Sequence, residues 1–189
     1  MNIIDKFHNW RRKQRWNKQY KKGRWNSLKK PIESSRYLTI KKFIETYGKN
    51  QPSILDLGSG EGVLNEYLDI NSYDYFLGMD FSKVSIKKAN SKQFPKSNFI
   101  EADIHYFTPK RKFDIIIFNE AFYYVQELEK ENVLQRLLNY LEDNGVLIVS
   151  MYREGTGCWE YFKNLQQLNH ILVTTDQEKT YWKIGAYKK

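Results

Sequence analysis

Between residues 53 and 150 the chain alternates two patterns: apolar runs of four to six residues, and polar stretches in which apolar side chains recur every three or four positions. The runs at 53–57, 75–80, 98–102, 113–118 and 145–150 predict five strands. The stretches between them predict helices over 62–68, 82–92 and 127–141, the second with Ser82 as its N-cap. Strands that are apolar along their whole length and separated by helices indicate a parallel sheet covered on both faces and joined by right-handed crossovers. The two ends depart from this alternation. Ahead of it, Ile3, Ile4, Phe7, Trp10, Trp16 and Tyr20 allow an imperfect amphipathic helix that breaks at Gly23, and Tyr37, Ile40, Phe43, Ile44 and Tyr47 mark a helix over 34–47 that stops at Gly48. Behind it, a helix near 157–168 precedes runs at 171–175 and 180–187, which flank a polar stretch at 176–179 and predict an antiparallel hairpin closing one sheet edge. The expected architecture is α/β: a doubly wound, mostly parallel seven-stranded sheet over residues 49–189, preceded by a helical arm over 1–48.

A chain of 189 residues with 41% hydrophobic positions is one ordinary domain, long enough to bury its own core. Mean hydropathy is low at -0.71, but 16% aromatic residues supply burial that disordered chains lack. No apolar run approaches the roughly 20 residues a bilayer demands. The single cysteine forms no internal disulfide, and no charged segment followed by an apolar one opens the chain, so the expected setting is the cytoplasm. His8, His105 and His170 lack partners at metal-ligand spacing, and no metal is expected. Charge changes the picture more. Residues 1–30 hold eleven Lys/Arg and one acid, leaving twenty basic against twenty-one acidic residues in the rest, so the whole net charge of +9 resides in the arm. Such a segment attracts nucleic acid, anionic membrane surface or a phosphorylated substrate, unless it is only a solvated helix face.

The candidate chemistry begins at the first strand, in Ile54-Leu-Asp-Leu-Gly-Ser-Gly-Glu-Gly62. Glycines at alternate positions let the backbone turn sharply and approach a ligand closely. A dinucleotide fingerprint would require glycine where Val63 stands, and a Walker A loop would require Gly-Lys-Ser/Thr. The acidic Asp56 before the first glycine suits a cationic ligand better than a pyrophosphate, and the amino group of S-adenosylmethionine (SAM) is such a ligand. Over roughly residues 50–155 the sequence resembles the class I SAM-dependent methyltransferases. The first motif of that family is matched by Asp56, Gly58, Gly60 and Gly62, with Leu57 and Ser59 between. The resemblance implies a Rossmann-like fold, ribose hydroxyls held by Asp80, and adenine flanked at Asp103. Phe81 and Ile104 are either core or walls of an adenine slot. Asp80→Ala would then weaken SAM binding with little change in melting temperature.

The resemblance further places the meeting of methyl donor and acceptor at Asn119-Glu-Ala-Phe-Tyr-Tyr124, after the fourth strand. Methyl transfer from SAM needs in-line positioning and, for a poor nucleophile, a base. Glu120 is the candidate base, unless it only hydrogen-bonds backbone or cofactor. Tyr123 and Tyr124 are candidate pocket walls or hydroxyl donors, and Tyr152 and Arg153 are candidates for holding the acceptor. The stretch from Trp16 to Trp25 is similar to the segment that precedes the core in bacterial methyltransferases of the small-molecule and surface-polysaccharide kind. Trp16, Tyr20 and Trp25 would then enclose the site as a lid, or else pack on the outer sheet face. Arg24 and Arg36 could meet a carboxylate or phosphate as bidentate donors. Removal of residues 1–30 is expected to weaken acceptor use more than it unfolds the core. The expected partner is a small, anionic acceptor such as a sugar, sugar nucleotide or phosphorylated metabolite, with S-adenosylhomocysteine (SAH) as coproduct. A nucleic-acid methyltransferase is the alternative, although Asn-Glu-Ala-Phe lacks the Pro pair of base-amino enzymes. A noncatalytic SAM-binding module is a third. A monomer or a homodimer paired through the hairpin edge fits equally.

Overall fold

The computed structural model describes the backbone from residue 3 to residue 189 and side chains from Trp10 onward; the side chains of Ile3, Ile4, Phe7 and His8 lie outside the described residues. The elements run α1 (Ile3–Lys21), α2 (Ser34–Tyr47), β1 (Ser53–Leu57), β2 (Tyr75–Asp80), α3 (Lys83–Ser91), β3 (Ser97–Glu101), β4 (Phe113–Asn119), α4 (Lys130–Leu138), β5 (Leu141–Tyr152), β6 (Gln166–Thr174) and β7 (Tyr181–Lys188). They form one seven-stranded sheet in the order β3-β2-β1-β4-β5-β7-β6, in which β7 alone runs antiparallel to its neighbours. Strand order reverses between β1 and β4, and in open α/β sheets the crevice at that point is where ligands bind. The ends of β1 and β4 carry Gly58 and Asn119.

The sheet is covered on both faces, which is why its central strands are apolar throughout. On one face Tyr37, Ile40, Phe43 and Ile44 of α2 pack with Ile115, Ile148, Trp182 and Ile184. On the other, Val133, Leu134 and Leu137 of α4 pack with Ile116, Phe118 and Val149. Residues 34–47, expected as part of the arm, therefore form a layer on the sheet. No described helix is long and apolar enough to cross a membrane.

Differences from the expected elements fall where burial is one-sided. The helix expected over 62–68 is a 3-10 turn, Leu64–Tyr67, and that over 127–141 contracts to α4 behind a 3-10 turn at Glu127–Glu129. Left-handed Thr156 and Gly157 break the helix expected over 157–168, leaving 3-10 turns within Gly155–Phe162. Strand β6 begins at Gln166, five residues early, because an edge strand tolerates the exposed Gln166 and Gln167, while Asn169 turns inward and donates to the Tyr47 hydroxyl of α2. Strand β5 reaches back to Leu141, accommodated by a register shift opposite Phe113 and Ile115.

Candidate active site

A cavity of about 510 Å³ opens at the carboxyl ends of β1, β2 and β4. Its floor is the glycine loop. Gly58 and Gly60 adopt φ of 77° and 56°, the left-handed region natural to glycine. A Cβ at Gly58 would lie 2.8 Å from that of Ala121, and one at Gly60 would lie 2.9 Å from the Tyr20 hydroxyl. Asp80 ties the loop to α3: its carboxylate accepts the backbone N–H of Gly60 at 3.0 Å, that of Ser82 at 2.8 Å and the Ser85 hydroxyl at 2.9 Å. Burial raises its pKa while these three donors pull the other way. Asp80 thus lines the cavity and braces its floor. This changes the expected behaviour of Asp80→Ala, which would loosen the loop as well as remove a ligand contact.

Phe81, Asp103 and Ile104 line the cavity where an adenine slot is expected. Buried His105 accepts the Gln126 backbone N–H at its Nε2, so its proton resides on Nδ1, which donates to Asp103 at 2.7 Å. His105 is therefore a satisfied structural post that aims the carboxylate. Arg12 of α1 donates to the same carboxylate at 2.8 Å and lies over the Phe81 ring at 4.8 Å. Burial opposes the Asp103 charge, but the His105 hydrogen bonds and Arg12 outweigh it, so its pKa is lowered. Neither Arg12 nor the role of His105 was marked by local motif. The signal that would have found the first is the spacing of Arg12, Trp16 and Tyr20, four apart on α1, all of which line the cavity.

On the other side of the glycine loop, polar atoms are buried without partners. Neither carboxylate oxygen of Asp56 nor the Ser59 hydroxyl nor the Trp25 indole N–H has a hydrogen-bond partner among the described residues. Burial lifts the Asp56 pKa to about 7, against the pull of nearby Arg36. Buried polar atoms are nearly always paired in native proteins, so Trp25 and Ser59, which line a second, smaller cavity beside Gly58, offer donors to a ligand, while Asp56 is wholly buried and lines neither cavity. Arg36 is itself buried, donating to Glu33 through Nε and Nη2 and to the Asn119 side-chain oxygen. Burial works against its charge, but Tyr37, Glu120 and Glu33 raise its pKa overall. Leu57, expected at the cofactor, is core. The residues present fit an adenosyl amino-acid ligand: glycines for close approach, Asp80 and Asp103 to accept from its donors, and unpaired Ser59 and Trp25 at the smaller cavity beside Gly58.

The remaining cavity wall comes from distant segments. Glu120 holds a left-handed φ of 57°, which costs a non-glycine residue about 1–2 kcal/mol. Its carboxylate accepts the Tyr123 hydroxyl at 2.7 Å, the Ser150 hydroxyl at 3.0 Å and the Tyr152 backbone N–H at 3.1 Å. Burial raises its pKa. Burial and Glu120 likewise push the Tyr123 hydroxyl far up, so it is a donor and never a base near neutrality. Trp16 stacks on Trp25 at 5.0 Å and meets Tyr124 edge-on at 5.1 Å. Tyr20, expected at the acceptor, is 5% exposed and rests on the glycine loop. Tyr152 lines the cavity; Arg153 does not, its side chain donating to the Lys179 carbonyl. Gln177, Thr180 and Trp182 from the β6–β7 hairpin complete the wall and were not anticipated. No group of His, Cys, Asp and Glu among the described residues could hold a metal ion.

The arm also braces the floor. Asn17 accepts the Ser82 hydroxyl at the start of α3, Lys88 donates to the Tyr20 carbonyl, and Lys29 pairs with buried Glu61 of the glycine loop.

A methyltransferase-domain family model matches residues 32–182. The chain is 27% identical over 142 residues to malonyl-[acyl-carrier protein] O-methyltransferase 2 of Ilyobacter polytropus, covering 72% of this chain and 52% of the relative. It is 31% identical over 129 residues to trans-aconitate 2-methyltransferase of Agrobacterium fabrum, covering 68% and 45%. The chain spans about half the length of these curated relatives. Among solved structures, N-methyltransferase NodS of Bradyrhizobium japonicum in complex with SAH superposes with a TM-score of 0.73 at 16% identity, over 87% of this chain and 91% of that one. A 1,6-didemethyltoxoflavin N1-methyltransferase of Burkholderia thailandensis superposes at 0.79 and 10% identity, over 100% and 91%. At such identities the structures show a shared fold. The family match runs from the approach to α2 into β7 and takes in the glycine loop, Asp80, Asp103 and Asn119, and the chain belongs to the class I SAM-dependent methyltransferases.

Proposed function

We propose that this chain transfers the methyl group of SAM to a small acceptor seated between the arm and the ends of β4, β5 and the β6–β7 hairpin. The observation that carries this reading is the continuity of one cavity from Asp80 and the glycine loop, past Asn119 to Ala121, to Trp16, Trp25 and Tyr124. When bound, SAM would supply a methyl open to in-line displacement by the acceptor. The chain's own work is alignment, exclusion of water and removal of a proton. Asp80 and Asp103 would accept from the adenosine, and Ser59 would meet the amino-acid end. Glu120 would take the acceptor's proton. Glu120 suits that task because it lines the cavity, burial raises its pKa, and among the described residues its Oε1 accepts only the Ser150 hydroxyl.

The arm's charge supports an anionic acceptor, for which Lys30 on the cavity lining is a contact. A sugar or phosphorylated metabolite of surface-polysaccharide synthesis rests on resemblance alone. The exposed cations Arg15, Lys18, Lys21, Lys22 and Arg24 support a second reading, a nucleic-acid substrate, whose mark would be affinity falling steeply with salt. The first test is isothermal titration with SAM, SAH and NAD. Micromolar binding of both adenosyl ligands and none of NAD is expected; silence toward SAM and SAH would overturn the reading.

A further inference from the structure

We infer that the part of the acceptor buried beside the transferred methyl is a flat ring, heteroaromatic or aryl, and that any anionic part stays at the mouth. This rests on the methyltransferase reading above and names its substrate class.

The first ground is how α1 divides its residues. Arg12, Trp16 and Tyr20, four apart, face the cavity, while Arg15, Lys18 and Lys21 are exposed on its other faces and Lys22 is exposed just past its end. The charge that made an anionic acceptor attractive is therefore turned outward. Of the two arm cations on the lining, Arg12 is committed to Asp103, and Lys30 is exposed.

The second ground is shape. Trp16 and Tyr124 meet with their ring planes at 89°. A flat ring laid against one wall of this corner presents its edge to the other, and both stacked and edge-to-face contacts are favourable for aromatic pairs. Apolar Leu28 and Ile32 continue the lining.

The third ground is hydrogen-bonding capacity. A buried sugar needs a partner for each hydroxyl, and each one left unpaired costs about 1–3 kcal/mol. The polar groups here are largely committed. Glu33 accepts two donors of Arg36, Glu120 accepts three donors, the Tyr123 hydroxyl donates to Glu120, and the Thr180 hydroxyl donates to Gln177. What remains on the lining is mainly donors, the Trp25 indole N–H among them, which suit the acceptor atoms of a ring edge better than sugar hydroxyls, each of which also needs an acceptor.

The test titrates SAH-saturated protein by calorimetry with two flat rings, 4-hydroxyquinoline and lumichrome, and with two sugar phosphates, glucose 1-phosphate and mannose 6-phosphate. Binding of at least one ring and neither sugar phosphate is expected. Trp16→Ala and half-exposed Tyr124→Ala should each weaken ring binding about tenfold, well beyond any change in SAH affinity. Sugar phosphates binding without the rings, or SAH binding with neither class, would overturn this inference and leave the methyltransferase reading standing. Absence of SAH binding would take down that reading, and this one with it.

Discussion

The two halves of the cavity are built by different rules. The cofactor half is assembled from the ends of neighbouring strands, where each functional residue sits one or two positions past an apolar run and is held by backbone geometry. Gly58, Gly60 and Asp80 are of this kind, and Asp80 is locked by three donors from its own loop and helix. The acceptor half is assembled from segments far apart in sequence: α1, the turn at Trp25, the residues after β4, the end of β5 and the β6–β7 hairpin. Its residues are held by side-chain packing, such as Trp16 on Trp25. The first half recognises an invariant ligand with backbone and carboxylates. The second can be rewritten by exchanging aromatic side chains without disturbing the sheet.

The largest effect is expected where the cofactor half depends on backbone alone. Gly58→Val places a branched side chain at φ of 77° with its Cβ 2.8 Å from that of Ala121. Strain and overlap should cost roughly 2–4 kcal/mol of stability and weaken SAH binding more than about a hundredfold, about 2.7 kcal/mol. Calorimetry with a thermal melt reads both. Near-normal SAH affinity would mean that the loop does not approach the ligand.

Next in size is removal of residues 1–30, which asks whether the arm belongs to the acceptor half only. The deletion strips Tyr20 from the glycine loop, the Asn17 contact from the start of α3 and Lys29 from Glu61. Glu61, whose pKa is lowered by Lys29 and Lys88 against the effect of burial, would keep one partner of two. SAH affinity should fall about tenfold or more, roughly 1.4 kcal/mol, and the melting temperature by several degrees. An unchanged melt with intact SAH binding would return the arm to the role of a detachable lid.

The same division explains what could be read from the sequence. The five parallel strands and the glycine loop were legible because a parallel strand covered on both faces is apolar along its length and the loop must follow it directly. Strands β6 and β7 were legible only as two runs flanking a polar turn, and the polar start of β6 escaped. Asp80 and Asp103 were located by the same local rule. Arg12 escaped because it is one cation among eleven in the first thirty residues, and only the fold shows which face of α1 meets the cavity. The family match begins at residue 32, so Arg12, Trp16, Tyr20 and Trp25 lie outside it. His105 escaped because its partners, Asp103 and the Gln126 backbone, come together only in space. Trp182, Gln177 and Thr180 belong to a hairpin whose chemistry is plain until it folds over the site. Arg153 was misjudged because it directly follows β5, yet the backbone there turns through a left-handed residue and the side chain leaves toward Lys179.

An effect read only across pH distinguishes a buried carboxylate without a partner from one satisfied by protein. The folded pKa of Asp56 is about 7, above the roughly 3.9 of a free aspartate. Below about pH 4 the group is protonated in both states, and the stability conferred by its raised pKa is fully present. Between about 4 and 7 the folded protein holds the proton more tightly than the unfolded chain, so the contribution of Asp56 to stability falls as pH rises, by at most about 1.4 kcal/mol per unit. Asp80 and Glu120 act in the same direction, and Asp103 and Glu61 in the opposite one. The contribution of Asp56 is therefore read as a difference. Asp56→Asn should gain on the wild type steadily from pH 4 to 7 in denaturant titrations, and a pH-independent difference would place Asp56 beside a partner that keeps it ionised.

The smallest effect concerns the seam between the halves. Arg12 reaches from the arm to the two groups expected to flank adenine, pairing with Asp103 and lying over Phe81. The pair is partly exposed, so its loss should cost under about 1 kcal/mol of stability. Its position matters more than its strength, because Arg12 closes the outer side of the adenine slot while His105 fixes Asp103 from within. Arg12→Ala should therefore leave the melt nearly unchanged and weaken SAH binding about threefold, roughly 0.7 kcal/mol. The opposite sign is equally informative. Tighter SAH binding in Arg12→Ala would show that the guanidinium competes with the ligand for Asp103, and that the arm must yield at this point before the cofactor half is filled.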